Sequence, residues 1–132
     1  MKRVFVDTSG FYALLDGTDP FHAAARLCFE RAEAGGIQLV TTNYVVHESW
    51  ALIQRRLGWA ALEVLLLDVL PRCEIVLVDL ALHAAGAAYC QQIHERRFSL
   101  TDAISLEYMR RQKLTLAIVE DEHFRREGVK LS

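Results

Sequence analysis

What the chain lacks narrows its function before any motif is considered. It has no excess of positive charge: 15 Lys and Arg stand against 17 Asp and Glu, a formal net charge of −2. That excludes a generic basic coat for nucleic acid, although a local basic surface on a mixed background remains compatible with it. Cysteine is scarce. Cys28, Cys73 and Cys90 are an odd number without C-x-x-C spacing, which argues against a disulfide framework or a zinc site and for buried thiols in a reducing compartment. Long apolar runs are missing too. The longest, from Val64 to Leu70, is interrupted by Asp68 and is far shorter than the roughly 18 residues of a membrane span. The first residues become strand-like within three positions and show no signal-peptide layout. There is no P-loop and no G-x-S-x-G nucleophile motif, and no internal repeat, low-complexity segment or linker. The expectation is a soluble, cytoplasmic protein.

What is present suits one domain over residues 1–132, with 52% hydrophobic residues to build one core. Arg3-Val4-Phe5-Val6 reads as a strand buried on both faces. Thr8 to Leu15 reads as a short helix stopped by Asp16-Gly17. Asp19 and Pro20 read as the N-cap and first position of a second helix, ending at Gly35-Gly36. Ile37 to Val40 is a second strand, and Thr41-Thr42-Asn43 caps a helix from Tyr44 to about Leu57. Another helix runs from Trp59 to Leu70, before Pro71. Glu74 to Val78 is a third strand and Leu80 to His94 a helix. Ser99-x-x-Asp102 has the form of a capping box, with Asp in place of the usual Glu, opening a helix to about Lys113. Leu114 to Val119 is a fourth strand, and Val129 to Leu131 a short edge strand. Strands alternating with helices imply an α/β fold: a three-layer α/β/α sandwich with a mainly parallel sheet of four to five strands.

Four carboxylates sit where burial makes them costly. Asp7 ends the first strand and Asp121 follows the fourth at its carboxyl end, where open parallel sheets collect their ligands. Glu48 lies three residues after Val45 and four before Leu52, on the apolar stripe of its helix. Asp102 is placed likewise, four and seven residues before Leu106 and Met109. Each has a structural alternative: Asp7 as a helix cap, Glu48 and Asp102 as complements to a helix dipole, Asp121 as a solvated turn residue. Taken together, four acids converging on one crevice repel one another unless a cation compensates them. An all-oxygen set suits Mg²⁺ or Mn²⁺.

Phe5-Val6-Asp7-Thr8-Ser9, Asp19-Pro20-x-His22, Asn43-Tyr44-x-x-x-Glu48, Ser99-Leu100-Thr101-Asp102-Ala103-Ile104-Ser105-Leu106 and Asp121-x-His123-Phe124 follow one another along the whole chain. In order and spacing they resemble the PIN-domain ribonucleases, most closely the VapC-type toxins of toxin–antitoxin pairs. The resemblance implies a Mg²⁺- or Mn²⁺-dependent endoribonuclease with Asp7, Glu48, Asp102 and Asp121 as its acidic set and Thr8 in support. Asp7 and Asp102 would be direct ligands, and Glu48 and Asp121 would act partly through water. Glu120 or Glu122 could assist or replace Asp121. The resemblance also implies an RNA substrate, a homodimer and a small antitoxin protein as partner.

Eight of the fifteen positive charges stand in the doublets Arg55-Arg56, Arg96-Arg97, Arg110-Arg111 and Arg125-Arg126, near element ends where arginine can reach phosphates or complement a helix dipole. Tyr12, Tyr44, Trp50 and Trp59 are candidates for stacking on bases, or for core and interface packing. No histidine has trusted ligand spacing. The competing class is a non-catalytic PIN-like module that binds protein or RNA. A phosphotransfer enzyme using Asp7 falls behind, because Ser9 stands where a haloacid-dehalogenase-type phosphatase has a second aspartate.

Overall fold

The computed structural model describes residues 2–126 and 130–131. The chain runs β1 (Arg3–Val6), α1 (Thr8–Leu15), α2 (His22–Ala34), β2 (Gln38–Thr42), α3 (Asn43–Arg56), α4 (Trp59–Val64), β3 (Cys73–Val76), α5 (Leu80–Ile93), α6 (Leu100–Arg111), β4 (Leu116–Ile118), α7 (Glu122–Arg126) and β5 (Lys130–Leu131). The five strands form one sheet in the order β3-β2-β1-β4-β5, and every pairing is parallel. Successive strand side chains point to opposite faces, yet Val4, Phe5 and Val6 are all 0% exposed. Both faces of β1 are therefore covered, as the α/β/α expectation requires. All three cysteines are free thiols. Among the described residues, no helix is long and apolar enough to cross a membrane.

The strand order creates the functional geometry. From β1 the chain steps to β2 and then β3 on one side, and returns to place β4 on the other side of β1. β1 and β4 thus flank a topological switch point, with a crevice beyond their carboxyl ends. Their register, Phe5 with Ala117 and Val6 with Ile118, brings the two ends level. Asp7 N–H donates to Ile118 O at 3.2 Å and prolongs the pairing by one bond.

Several boundaries differ from expectation. Asp19 does not cap α2. Its Oδ1 accepts from Phe21 N at 2.8 Å, and its carbonyl accepts from His22 N at 2.9 Å, so Asp19 and Pro20 make a turn and the helix starts at His22 without a side-chain cap. The expected helix from Trp59 to Leu70 is regular only to Val64. Leu65–Val69 forms a π-helical turn and Leu70–Arg72 a 3₁₀ turn. Pro71 has no N–H for Leu67 O and its ring crowds that carbonyl; the ladder instead widens, with Leu70 N–H donating to Leu65 O. The third strand spans Cys73–Val76 rather than Glu74 to Val78, and the fourth shortens to Leu116–Ile118. Val129 lies outside the described residues.

Gly10 sets how closely α1 approaches the sheet. A Cβ there would stand 2.3 Å from Ile118 O and 3.0 Å from the Ile118 Cγ2 methyl, so only glycine lets the first turn of α1 lie against the end of β4. Gly10→Ala must push the two apart, at a cost of about 1–3 kcal/mol, typical of overpacking. We expect a melting temperature lower by several degrees with far-UV circular dichroism retained. Thermal melts measure it, and an unchanged melting temperature would show that α1 is free to shift.

Candidate active site

Each acid reaches the crevice by a different local route. The cavity there has a volume of about 400 Å³, and Asp7, Glu48, Asp102, Glu120 and Asp121 all line it. Two larger grooves, of about 650 and 580 Å³, lie elsewhere and contain none of these five. Chemistry rather than size distinguishes this cavity.

Asp7 caps α1 and is 3% exposed. Its Oδ2 accepts from Ser9 N at 3.2 Å and from Ser9 Oγ at 3.0 Å. Its Oδ1 is buried without a hydrogen-bond partner. The same Ser9 hydroxyl accepts from Glu120 N at 2.9 Å, so one side chain ties the end of β1 to the loop after β4. Thr8 lines the cavity with its Oγ1 buried, and the direct bonds to Asp7 come from Ser9.

Asp102 both caps a helix and lines the cavity. Ser99 Oγ accepts from Asp102 N and Asp102 Oδ2 accepts from Ser99 N, both at 3.0 Å, completing the capping box of α6. The box occupies one carboxylate oxygen, while the residue still lines the cavity. Glu48 is half-buried. The core stripe of α3 is Val45, Ser49 and Ile53, all 0% exposed. Glu48 therefore lies beside that stripe rather than on it, in a strip with Leu52 and Arg56 that faces the cavity. Asp121 and Glu120 both stand on the wall, whereas Glu122 is exposed and is not among the lining residues.

Electrostatics confirm the crowding. Asp7 is pushed up from 3.8 to about 7, first by burial and then by Asp102, against the lowering effect of the Ser9 bonds, with Glu48 adding to the rise. Asp102 rises from 3.8 to about 6, again chiefly by burial; Asp121 and Glu48 add to the rise and the Ser99 bonds oppose it. Two of the other predicted acids thus act through space on Asp7, and two on Asp102. Among the described residues, no three His, Cys, Asp or Glu side chains already stand as a metal centre; the acids ring the cavity instead of meeting at a point. Even so, Asp7 Oδ1, an orphaned buried oxygen amid an all-oxygen acidic set, fits a hard divalent cation.

Asp19, expected only as a helix cap, also lines the cavity. Of the eight candidate arginines, Arg56 and Arg97 line it; Arg56 follows Glu48 by eight residues, which is the same-face spacing on a helix. Of the aromatic candidates only Tyr12 reaches the cavity. Tyr44 Oη pairs with His83 Nδ1 at 2.6 Å, and Trp50 meets Trp59 edge-on at 6.5 Å.

Comparison with known proteins agrees with this geometry. The PIN domain family matches residues 4–129. The curated "23S rRNA-specific endonuclease VapC20" of two Mycobacterium tuberculosis strains is 30% identical over 128 residues, covering 95% of this chain and 94% of the relative. The crystal structure of M. tuberculosis VapC20, described as a sarcin–ricin loop cleaving toxin, superposes with a TM-score of 0.82 at 27% identity, covering 98% of both chains.

The raised carboxyls make stability depend on pH. Asp7 and Asp102 bind protons more tightly folded than unfolded, so the stability they contribute is complete below about 3.8 and is lost as pH rises through about 6 to 7. In EDTA the melting temperature should fall between pH 5 and pH 8. Asp7→Asn, which keeps an acceptor for Ser9, should gain at least about 1 kcal/mol at pH 8 and flatten that dependence. Denaturant titrations at both pH values check it; parallel wild-type and variant curves would refute the buried-charge account.

Proposed function

The chain belongs to the PIN domain family, and on that footing we propose that it is a metal-dependent endoribonuclease that hydrolyses RNA phosphodiester bonds as the toxin of a type II toxin–antitoxin pair. The observation that carries this is the convergence of Asp7, Glu48, Asp102 and Asp121 on one cavity at the β1–β4 switch point. The 23S rRNA specificity of the relative VapC20 makes a sarcin–ricin stem-loop the first substrate to test.

In this mechanism Asp7 and Asp102 would hold a Mg²⁺ or Mn²⁺ ion, with Glu48 and Asp121 contributing partly through water. When bound, the ion supplies positive charge against the phosphodiester and lowers the pKa of the attacking water. The protein's own part is positional. Ser9 and Ser99 each fix one oxygen of an aspartate, so Asp7 and Asp102 keep one orientation without a ligand to order them. Their uncommitted oxygens then remain for the ion. Glu48, half-buried beside them on a separate helix, accepts the proton of the water that attacks phosphorus. An unpaired strand or loop is the substrate form that suits such a crevice, because its flexible backbone can be turned into line.

The proposal extends to assembly. A homodimer and a small antitoxin are the partners of this reading, acting in the cytoplasm. Leu67, Leu77 and Leu80, each more than two-thirds exposed, are apolar material such contacts would bury.

Cleavage of a labelled sarcin–ricin stem-loop and of an unstructured RNA, with Mg²⁺, Mn²⁺ or EDTA, tests the activity. Asp7→Asn and Asp102→Asn should each lower the rate by at least about 100-fold, and EDTA should abolish it. Unchanged cleavage in both variants would remove these residues from the site. Binding of RNA without cleavage under any metal would make the chain a non-catalytic interaction module.

A further inference from the structure

The cavity presents an obstacle to its own substrate. Six carboxylates line it, those of Asp7, Asp19, Glu48, Asp102, Glu120 and Asp121, while RNA brings a negative charge at every phosphate. Compensation at the scissile phosphate alone leaves the neighbouring phosphates facing an acidic wall. Two cationic side chains interrupt that wall: Arg56 from the last turn of α3 and Arg97 from the loop ahead of α6.

Ion pairing separates these two from several of the other arginines, and their place on the cavity wall separates them from the rest. Arg26 pairs with Glu30, Arg72 with Glu33, and Arg110 and Arg111 both with Glu107. Arg3 is held by Tyr108 and Glu74. Among the described residues, neither Arg56 nor Arg97 has a carboxylate ion pair in this sense. The Arg56 guanidinium instead lies over the ring of Tyr12, 5.8 Å from its centroid. Arg56 also hydrogen-bonds the Tyr12 side chain; together these contacts restrain the guanidinium, whose fork has further N–H donors to offer a phosphate. Its helix places it two turns beyond Glu48, with Leu52 between. Arg97 is two residues before Ser99, whose backbone and hydroxyl are locked to Asp102. Both cations are therefore in fixed relation to one of the acids.

We propose that Arg56, held ready on the ring of Tyr12, and Arg97 clamp the RNA phosphates that flank the scissile one. This rests on the ribonuclease reading above. Arg55 and Arg96 are built-in controls. Arg55 complements the same helix end as Arg56, and Arg96 adjoins Arg97 on the same loop, yet neither lines the cavity. A general benefit from basic charge would be shared within each doublet; a clamp would not.

The test uses the full chain and a fluorescein-labelled RNA stem-loop. Cleavage kinetics should show KM raised at least ten-fold by Arg56→Ala and by Arg97→Ala, with kcat within about three-fold of wild type. Arg55→Ala and Arg96→Ala should change KM by less than about two-fold. Anisotropy titrations on an Asp102→Asn background, which separate binding from turnover, should show the slope of log Kd against log salt falling by roughly 0.7 for each clamp arginine removed. Tyr12→Leu should raise KM in the same direction as Arg56→Ala, and should add little once Arg56 is gone. Melting temperatures of the exposed-arginine variants should match wild type. Equal effects within a doublet, a loss confined to kcat, or an unchanged salt slope would each overturn the clamp while leaving the nuclease standing. A wild-type chain that neither cleaves nor binds RNA would overturn both.

Discussion

The constraint on which the rest of this structure depends is a carboxylate buried at the end of a central strand. Asp7 follows three fully buried residues of β1 and is itself nearly inaccessible. Burial alone favours its neutral form. Ser9 opposes that through two bonds to one oxygen and leaves the other without a partner. The tertiary structure then adds to the strain, because Asp102 and Glu48 arrive close enough to raise the carboxyl further. A protein organised for stability alone would place an apolar residue here. Burial and neighbouring acids thus hold this carboxyl in an unfavourable charge state, which a bound cation would relieve under the proposed function.

The scaffold around it serves positioning as much as support. The close approach at Gly10 lays α1 against the end of β4, and that contact lets the Ser9 hydroxyl meet the backbone of Glu120. β1, α1 and the loop after β4 are thereby tied together. Asp102 is secured differently, by a capping box that would stabilise α6 in any protein. Cap and site residue are the same side chain, because a helix N-terminus offers the fixed backbone N–H that orients one oxygen. On α3, the core stripe anchors the helix and the adjacent strip presents Glu48, Leu52 and Arg56.

Much of this was legible along the chain, where each cue is local. The parallel α/β architecture follows from strand and helix periods. Asp7 and Asp121 follow from strand ends, and the Ser99–Asp102 box from a four-residue pattern. The stripe expected to carry Glu48 passes instead through Ser49, a residue whose small hydroxyl disguises a buried position. Asp19 suggests a helix cap because Asp-Pro looks the same before a turn as before a helix. The π-helical turn ahead of Pro71 escaped because the helical period of Leu65 to Leu70 does not reveal how the backbone bonds re-register.

By itself, the sequence determined which residue types were available and at what intervals: four acids in costly places, a β-strand and helix alternation, and a set of motifs shared with the PIN domain family. Only the tertiary structure decided which charges meet. Residues more than ninety positions apart, such as Asp7 and Asp102, share a cavity because the strand order reverses beside β1, and nothing in either residue's neighbourhood encodes that distance. The same holds for the arginines. In sequence they are four equivalent doublets; in space Arg110 and Arg111 are committed to Glu107 while Arg56 and Arg97 face the acids. Electrostatic energy depends on separation and burial, and both are properties of the fold.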